Sequence, residues 1–559
     1  MTSRGTAFSM VAVALLLATA TSAQTYSPLY TYSQTDNGSS GIIWPSVLSQ
    51  AQDGNLYSTI VTNGTYNAGT VYKITTSGAY STIYNFCEEG GSCLVTGGYP
   101  YGGVTLGFDG NLWGTTADGG KDGFGSVFKI TPGGTLTPVY PFTGGLGTVK
   151  DDGGPIYPVL QGQDGNFYGV SEEPYGGEYG AFFKLTTKGK ITAHPFDYTN
   201  GESPNLPTEG TDGNFYGTTQ YGGNNSTNCG VVYKATAAGK ITPLHDFAGY
   251  PTDGCRPIGI LVQGPDGDFY GTTYGGGTTN GNGTIFKISP TGKYTLLYSF
   301  TFAIVGSANP YDAQLPIAGL TLGTDGNFYG VGAYGGTENY GAIFQVTSAG
   351  AEKVLYNFCS VSCNDGFLPT TPMVLHTDGL LYGNTGGSSL GGSVFYSFNV
   401  GFQPLVYLVT WSAKEGATAE ILGQGFTGAS SVSFGGTPAK FKIVSDTYLT
   451  ATVPASAIIG SVSVVTSEGT LISNRIFLVV PAIISFTPGS GPAGTLVTIS
   501  GSGLAGATKV TVGGKTAAFK VVNDSEITAT VPTGAKTGKI VVTTPGGTAT
   551  SKTSFTVTT

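Results

Sequence analysis

The sequence predicts an all-β chain, a seven-bladed propeller followed by two sandwich domains, on three observations. A unit of about 54 residues recurs seven times, marked by Asp-Gly-Asn or a close variant at Asp53, Asp109, Asp164, Asp212, Asp266, Asp325 and Asp378. Glycine supplies 92 of 559 residues and falls at recurring places beside Tyr, Phe, Thr and Val, as in many short strands joined by tight turns. Residues 404–480 and 481–559 align with each other at an offset of 78.

Each unit reads as four strands, a to d. An apolar segment such as GVTLGF leads into the Asp-Gly turn, and an aromatic segment such as NLWGTT or NFYGTT leaves it. A variable Gly-rich loop follows, then SVFKIT, AFFKLT or TIFKIS, a turn with Gly, and a phrase such as LTPVYPF or YTLLYSF. Period-two alternation in SVFKIT marks a strand. The Asp-Gly pairs predict tight primed hairpin turns, because glycine takes the positive φ such turns demand. Four antiparallel strands repeated seven times signal a propeller over residues 24–403. The seventh unit lacks a clear strand d, while Ser27–Tyr32 forms an orphan strand of that type. Closure of the ring by this N-terminal strand is the preferred reading, with residues 404–410 as the alternative.

At the N-terminus, Arg4, an apolar run from Ala7 to Leu17 and small residues through Ala23 predict a secretory signal peptide over 1–23. The run is shorter than the roughly 20 residues a spanning helix needs, so no transmembrane segment is expected. Six cysteines suit an oxidising compartment. All lie in the loops that vary: Cys229 between b and c, the others at or after strand d. The predicted pairs are Cys87–Cys93, Cys229–Cys255 and Cys359–Cys363, one of 15 pairings open to six cysteines.

The repeat GTTxxGG, then GxVFKIT and LYxF, resembles the GloVer tandem repeat of bacterial choice-of-anchor surface proteins over about residues 45–400. That resemblance implies an exported bacterial protein and no particular chemistry. SVSFGGTPAKFKIVSDTYLTATVP and KVTVGGKTAAFKVVNDSEITATVP resemble IPT/TIG domains, which implies an immunoglobulin-like fold for 404–480 and 481–559. The second copy keeps the opening PxIxSFTPxSGPAG, whereas the first departs from it at Trp411 and Lys414.

Charge narrows the function. Residues 1–400 carry 14 Lys and Arg against 27 Asp and Glu, a net of −13, while 401–559 carry 10 against 6, a net of +4. No basic stripe is present, so no nucleic acid is expected as partner. His194 and His245 replace the Tyr of LYxF, His376 precedes Asp378, and no two are spaced as metal ligands. Neither cofactor nor metal is expected, and the DGN turns lack the ligand pattern of a calcium loop. Acidic pairs at Glu88-Glu89, Asp151-Asp152 and Glu172-Glu173 read as solvated loop charge. The series Tyr57, Trp113, Tyr168, Tyr216, Tyr270, Tyr329 and Tyr382 reads as blade-interface core in preference to a sugar platform. The expected function is a secreted or cell-surface, monomeric, non-catalytic protein. It recognises an extracellular carbohydrate or a surface protein through the b–c and d–a loops. The alternative is a polysaccharide-acting hydrolase or lyase.

Overall fold

The computed structural model describes residues 24–33, 46–88, 93–144, 153–172, 179–278, 281–301, 312–359, 363–388 and 392–559. The predicted signal peptide, 1–23, lies outside the described residues. Among the described residues, six antiparallel sheets with the order a-b-c-d succeed one another from residue 49 to residue 357, and strands a to c of a seventh follow to residue 399. In the first, the strands are Ser49–Gln50, Leu56–Ile60, Thr70–Ile74 and Tyr80–Asn85. Strand b is buried along its whole length and strand d is partly exposed, so b lies between neighbouring blades and d lies at the rim.

The a–b turns are not primed. The Ala51 N–H bonds the Asn55 carbonyl and the Gly54 N–H bonds the Ala51 carbonyl, which makes a three-residue loop. Only Gly54 has positive φ there, at 76°, whereas a type I′ turn needs two such residues. The aspartate stays right-handed because its carboxylate has another task. Asp53 accepts the Asn55 backbone N–H at 3.1 Å, the Asn55 amide at 2.7 Å and the Tyr57 hydroxyl at 2.8 Å. Asp109 holds the Trp113 indole N–H at 3.0 Å in the same way. At Asp164, the Lys184 ammonium of strand c joins the group at 2.9 Å. Burial works against the charge of Asp164, yet Lys184, Tyr168 and Asn166 together hold its carboxyl below the usual range.

The strand-b aromatics so held are buried between blades. Trp113 stacks on Phe167 of the next blade at 3.8 Å between ring centres, Tyr216 on Phe269 and Tyr270 on Phe328 do so at 4.0 Å, and Tyr168 packs tilted against Phe215 at 4.0 Å. Strand-a hydroxyls add bonds between neighbours, Thr208 to the Leu261 carbonyl and Thr321 to the Met373 carbonyl, both at 2.5 Å.

The N-terminal strand Thr25–Thr31 pairs antiparallel with Val394–Asn399 and supplies strand d of the seventh sheet. Tyr26 stacks on Tyr356 at 4.4 Å, and the fully buried Tyr32 bonds Asn384 at 3.1 Å. Residues 404–410 do not form that strand: Leu405 packs into the core of the last blades, and Tyr407–Leu408 pairs with Thr418–Leu422 in the first sandwich. Each sandwich has one four-stranded and one five-stranded sheet in the same order. Each also has one short parallel pairing, Ser412–Ala413 with Gly469–Val479 and Ser490–Gly491 with Gly547–Val557.

Deleting residues 24–33 strips the outer strand from the last blade, and Tyr32→Ala alone removes a fully buried ring worth about 3–5 kcal/mol. Calorimetry should show the propeller transition fall in both variants. An unchanged transition would contradict closure by this strand.

Candidate functional site

The two faces of the propeller have different fates. Its a–b turn face carries the first sandwich. Val409, Leu422 and Tyr448 of the sandwich pack with Leu106 and Phe108 of the second blade. The Trp411 and Ser412 N–H groups both bond the Gln163 side-chain oxygen at 3.0 Å. Thr447 bonds the Gln52 carbonyl at 2.7 Å, and Gln424 bonds Thr377 at 2.8 Å. In the second sandwich the residues 78 further on, Thr487, Ser500 and Glu526, replace that apolar trio with polar groups. The departure of the first copy at Trp411 is therefore a docking adaptation.

Beneath the docked sandwich lies a cavity of about 280 Å³. Residues in or just before strand a of six blades converge on it, which places it at the centre of the ring, and Tyr407, Trp411 and Arg475 close it. A belt of side chains encircles this centre. Gln161, Gln263 and Gln50 accept a backbone N–H from the preceding blade, those of Phe108 at 2.6 Å, Thr211 at 2.9 Å and Thr377 at 3.1 Å. Glu209 takes the same place in the fourth blade and accepts the Gln163 N–H at 3.0 Å. Burial pushes the Glu209 carboxyl up to about 7, against the lowering pull of the Gln163 N–H and Arg475. The Arg475 guanidinium lies over the Trp411 ring at 4.2 Å. A second cavity of about 230 Å³ shares Gln163, Glu209 and Trp411 with the first and extends to Val480, Gly546 and Gly547. Both sandwiches and the third and fourth blades thus meet at one groove.

The opposite face carries the b–c and d–a loops. Disulfides join Cys87 to Cys93, Cys229 to Cys255 and Cys359 to Cys363. The loop entering a blade pairs with that blade's own b–c segment: Glu202–Pro204 with Phe215–Tyr221, Gly254–Cys255 with Gly275–Gly276, Ala313–Gln314 with Tyr334–Gly335. This second tier of pairing was not foreseen from the sequence. Every large apolar or aromatic side chain that the described propeller exposes lies on these loops. Six are tyrosines: Tyr66, Tyr198, Tyr250, Tyr274, Tyr334 and Tyr340. Arg256 lies over the rings of Tyr221, at 4.9 Å, and Tyr274, at 5.4 Å, and so joins the loops of blades four and five.

The histidines stay apart. His245 bonds Asp253 at 2.8 Å and stacks on Tyr294 at 3.8 Å, His376 meets the Gly54 carbonyl at 3.0 Å, and His194 packs at the Gly239 turn. Among the described residues, no three His, Cys, Asp or Glu side chains are grouped to hold a metal ion. Of the acidic pairs, Glu89, Asp151, Asp152 and Glu173 lie outside the described residues. Glu88 accepts the Asn85 amide at 3.0 Å, and burial pushes Glu172 up to about 7. No helix among the described residues is long and apolar enough to cross a membrane.

Residues 146–312 match the family model of the Gloeobacter/Verrucomicrobia repeat, and residues 404–477 and 481–557 each match that of the IPT/TIG domain. No curated protein matches the chain. Among solved structures it is similar to a fungal alcohol oxidase of the AA5 family in complex with copper. The identity is 13%, over 96% of this chain and 100% of that one, with a TM-score of 0.44. It is similar also to a gluconolactonase from Xanthomonas campestris, at 10% identity over 67% and 95% of the two chains and a TM-score of 0.33. A surface glycan-binding protein from Prevotella bryantii matches at 20% identity over 28% and 39%, with a TM-score of 0.21. These three likenesses carry no argument about activity.

The docked IPT/TIG domain makes stability depend on pH. Burial, with the Asp109 charge beside it, raises the Glu420 carboxyl from 4.5 to about 7. Between those values the folded state holds a proton that the unfolded chain has released, so stability falls as pH rises through this window. Glu209 acts in the same direction. Thermal unfolding should therefore occur at lower temperature at pH 8 than at pH 5, and Glu420→Gln should flatten the difference. An equal slope in the variant would rule out this origin.

Proposed function

We propose that this is an exported, monomeric binding protein without catalysis of its own. It holds an extracellular carbohydrate or a surface protein on the b–c and d–a loop face of the propeller. The observation that carries this reading is the concentration of exposed tyrosines there. Tyrosine offers a large, stiff contact area at little conformational cost, and its hydroxyl adds a hydrogen bond. Disulfides and the second tier of β-pairing support the platform, and constrained loops lose less entropy on binding. The other face is covered by the IPT/TIG domain, which leaves the tyrosine face for a partner. The net charge of −13 over residues 1–400 favours a neutral glycan over an anionic one. Disulfides and the IPT/TIG pair accord with an extracellular setting.

A glycan array with the secreted protein, combined with an assay for newly formed reducing ends, tests this reading. Binding without release of new ends is expected. Tyr250→Ala and Tyr334→Ala, at side chains 63% and 42% exposed, should each weaken binding about tenfold or more and leave the unfolding temperature unchanged. Turnover abolished by a loop carboxylate substitution would replace the proposal with a hydrolase or lyase.

A further inference from the structure

We infer that the capped cavity at the centre of the ring is a second binding site, built for a single neutral sugar ring and reached through the groove between the two IPT/TIG domains and blades three and four. It goes beyond the loop-face reading and lies on the other side of the propeller.

Size comes first. A buried water needs about 10–15 Å³ of such space, whereas small-ligand sites start near roughly 300 Å³. At about 280 Å³ the cavity suits one ring and not a chain. The adjoining groove, about 230 Å³, ends at Gly546 and Gly547, which have no side chains to obstruct entry.

The lining has polar capacity that the protein leaves unused. Arg475 presents five N–H donors, and among the described residues none meets a protein acceptor. The Trp411 side chain is only 6% exposed, and its indole N–H likewise has no protein acceptor there. The Glu209 carboxylate accepts only the Gln163 N–H and keeps further lone pairs. These groups face the cavity, so a guest with several acceptors can take up their hydrogen bonds. Above pH 7, where the Glu209 carboxyl is ionised, one guanidinium is balanced by one carboxylate, which disfavours an ion as guest. A sugar hydroxyl donates and accepts at once and answers both partners. Leu106 and Leu160 supply an apolar wall, and the Trp411 ring a flat one.

Comparison of the two IPT/TIG copies points the same way. The residues 78 positions after Trp411 and Arg475 are Gly489 and Thr553. The aromatic–guanidinium pair is thus peculiar to the copy that closes the cavity. Glu209 is equally particular, since Gln50, Gln161 and Gln263 fill its place in three other blades.

Calorimetric titration of the full secreted chain with glucose, galactose, mannose, xylose and N-acetylglucosamine tests the site. At least one should bind in one-to-one ratio. Glu209→Gln installs the residue that other blades carry, and Trp411→Phe keeps the ring while removing its N–H, so both variants should fold. Each should weaken binding about tenfold, the effect of one charged or buried hydrogen bond. Tyr250→Ala on the loop face should leave this affinity as it was, which separates this test from that of the loop-face proposal. No binding by any of the five sugars, wild-type affinity in both variants, or acetate bound more tightly than every sugar would overturn the inference.

Discussion

The propeller depends on one carboxylate per blade, placed where strand a turns into strand b. A four-stranded sheet has two faces to bury and no second layer of its own, so each blade needs its neighbours. The aspartate fixes the strand-b aromatic for that contact. Asp164 grips the Tyr168 hydroxyl at 2.7 Å, and the ring then packs against Phe215 of the next blade. Were the hydroxyl unpaired, the buried ring would carry a polar atom at a cost of about 1–3 kcal/mol. With the carboxylate there, polar and apolar ends of the same side chain are both satisfied. Lysines of strand c, such as Lys184 over the Tyr168 ring at 5.2 Å, cover the outer side of the cluster.

From this unit the rest follows by closure. The last blade is complete only because the N-terminal strand pairs with its strand c and supplies its outer strand. Closure brings strand a of all blades toward one axis, and Gln50, Gln161, Glu209 and Gln263 tie four of them to the blade before. Blades around an axis leave a central space between their inner strands. At the turn face the first IPT/TIG domain closes it, and its apolar trio and Trp411 are what distinguish that domain from its twin.

Much of this was legible in the sequence because it rests on residue types with narrow roles. Glycine after aspartate, at seven regular intervals, admits few explanations besides a repeated turn. Cysteines confined to variable loops lead to short-range pairs. The turn type was misread because Asp53 and Gly54 suit more than one hairpin, and the choice lies in what the carboxylate holds. The second tier of β-pairing was hidden because Gly254–Cys255 and Gly275–Gly276 pair through backbone groups alone. Glu209 and Arg475 were hidden for another reason. Each is a single departure within a repeat, and its meaning depends on a surface more than 260 residues away in the chain.

Departures between repeats are the informative positions in such a chain. Where all copies agree, as at the Asp-Gly turns, the residue answers to a need that every blade shares. Where one copy differs and becomes less suited to solvent, a neighbour must cover it. Tyr448 in place of Glu526 and Leu422 in place of Ser500 satisfy that test, and both lie against the propeller. Where one copy differs and places a charge out of water, packing alone does not account for it. Glu209 is such a residue, since glutamine at the same place accepts the same backbone N–H without burying an ionisable group. Selection for stability alone would place glutamine there. A carboxyl beside Arg475 at this place accords with a task for the pair other than holding the blades together.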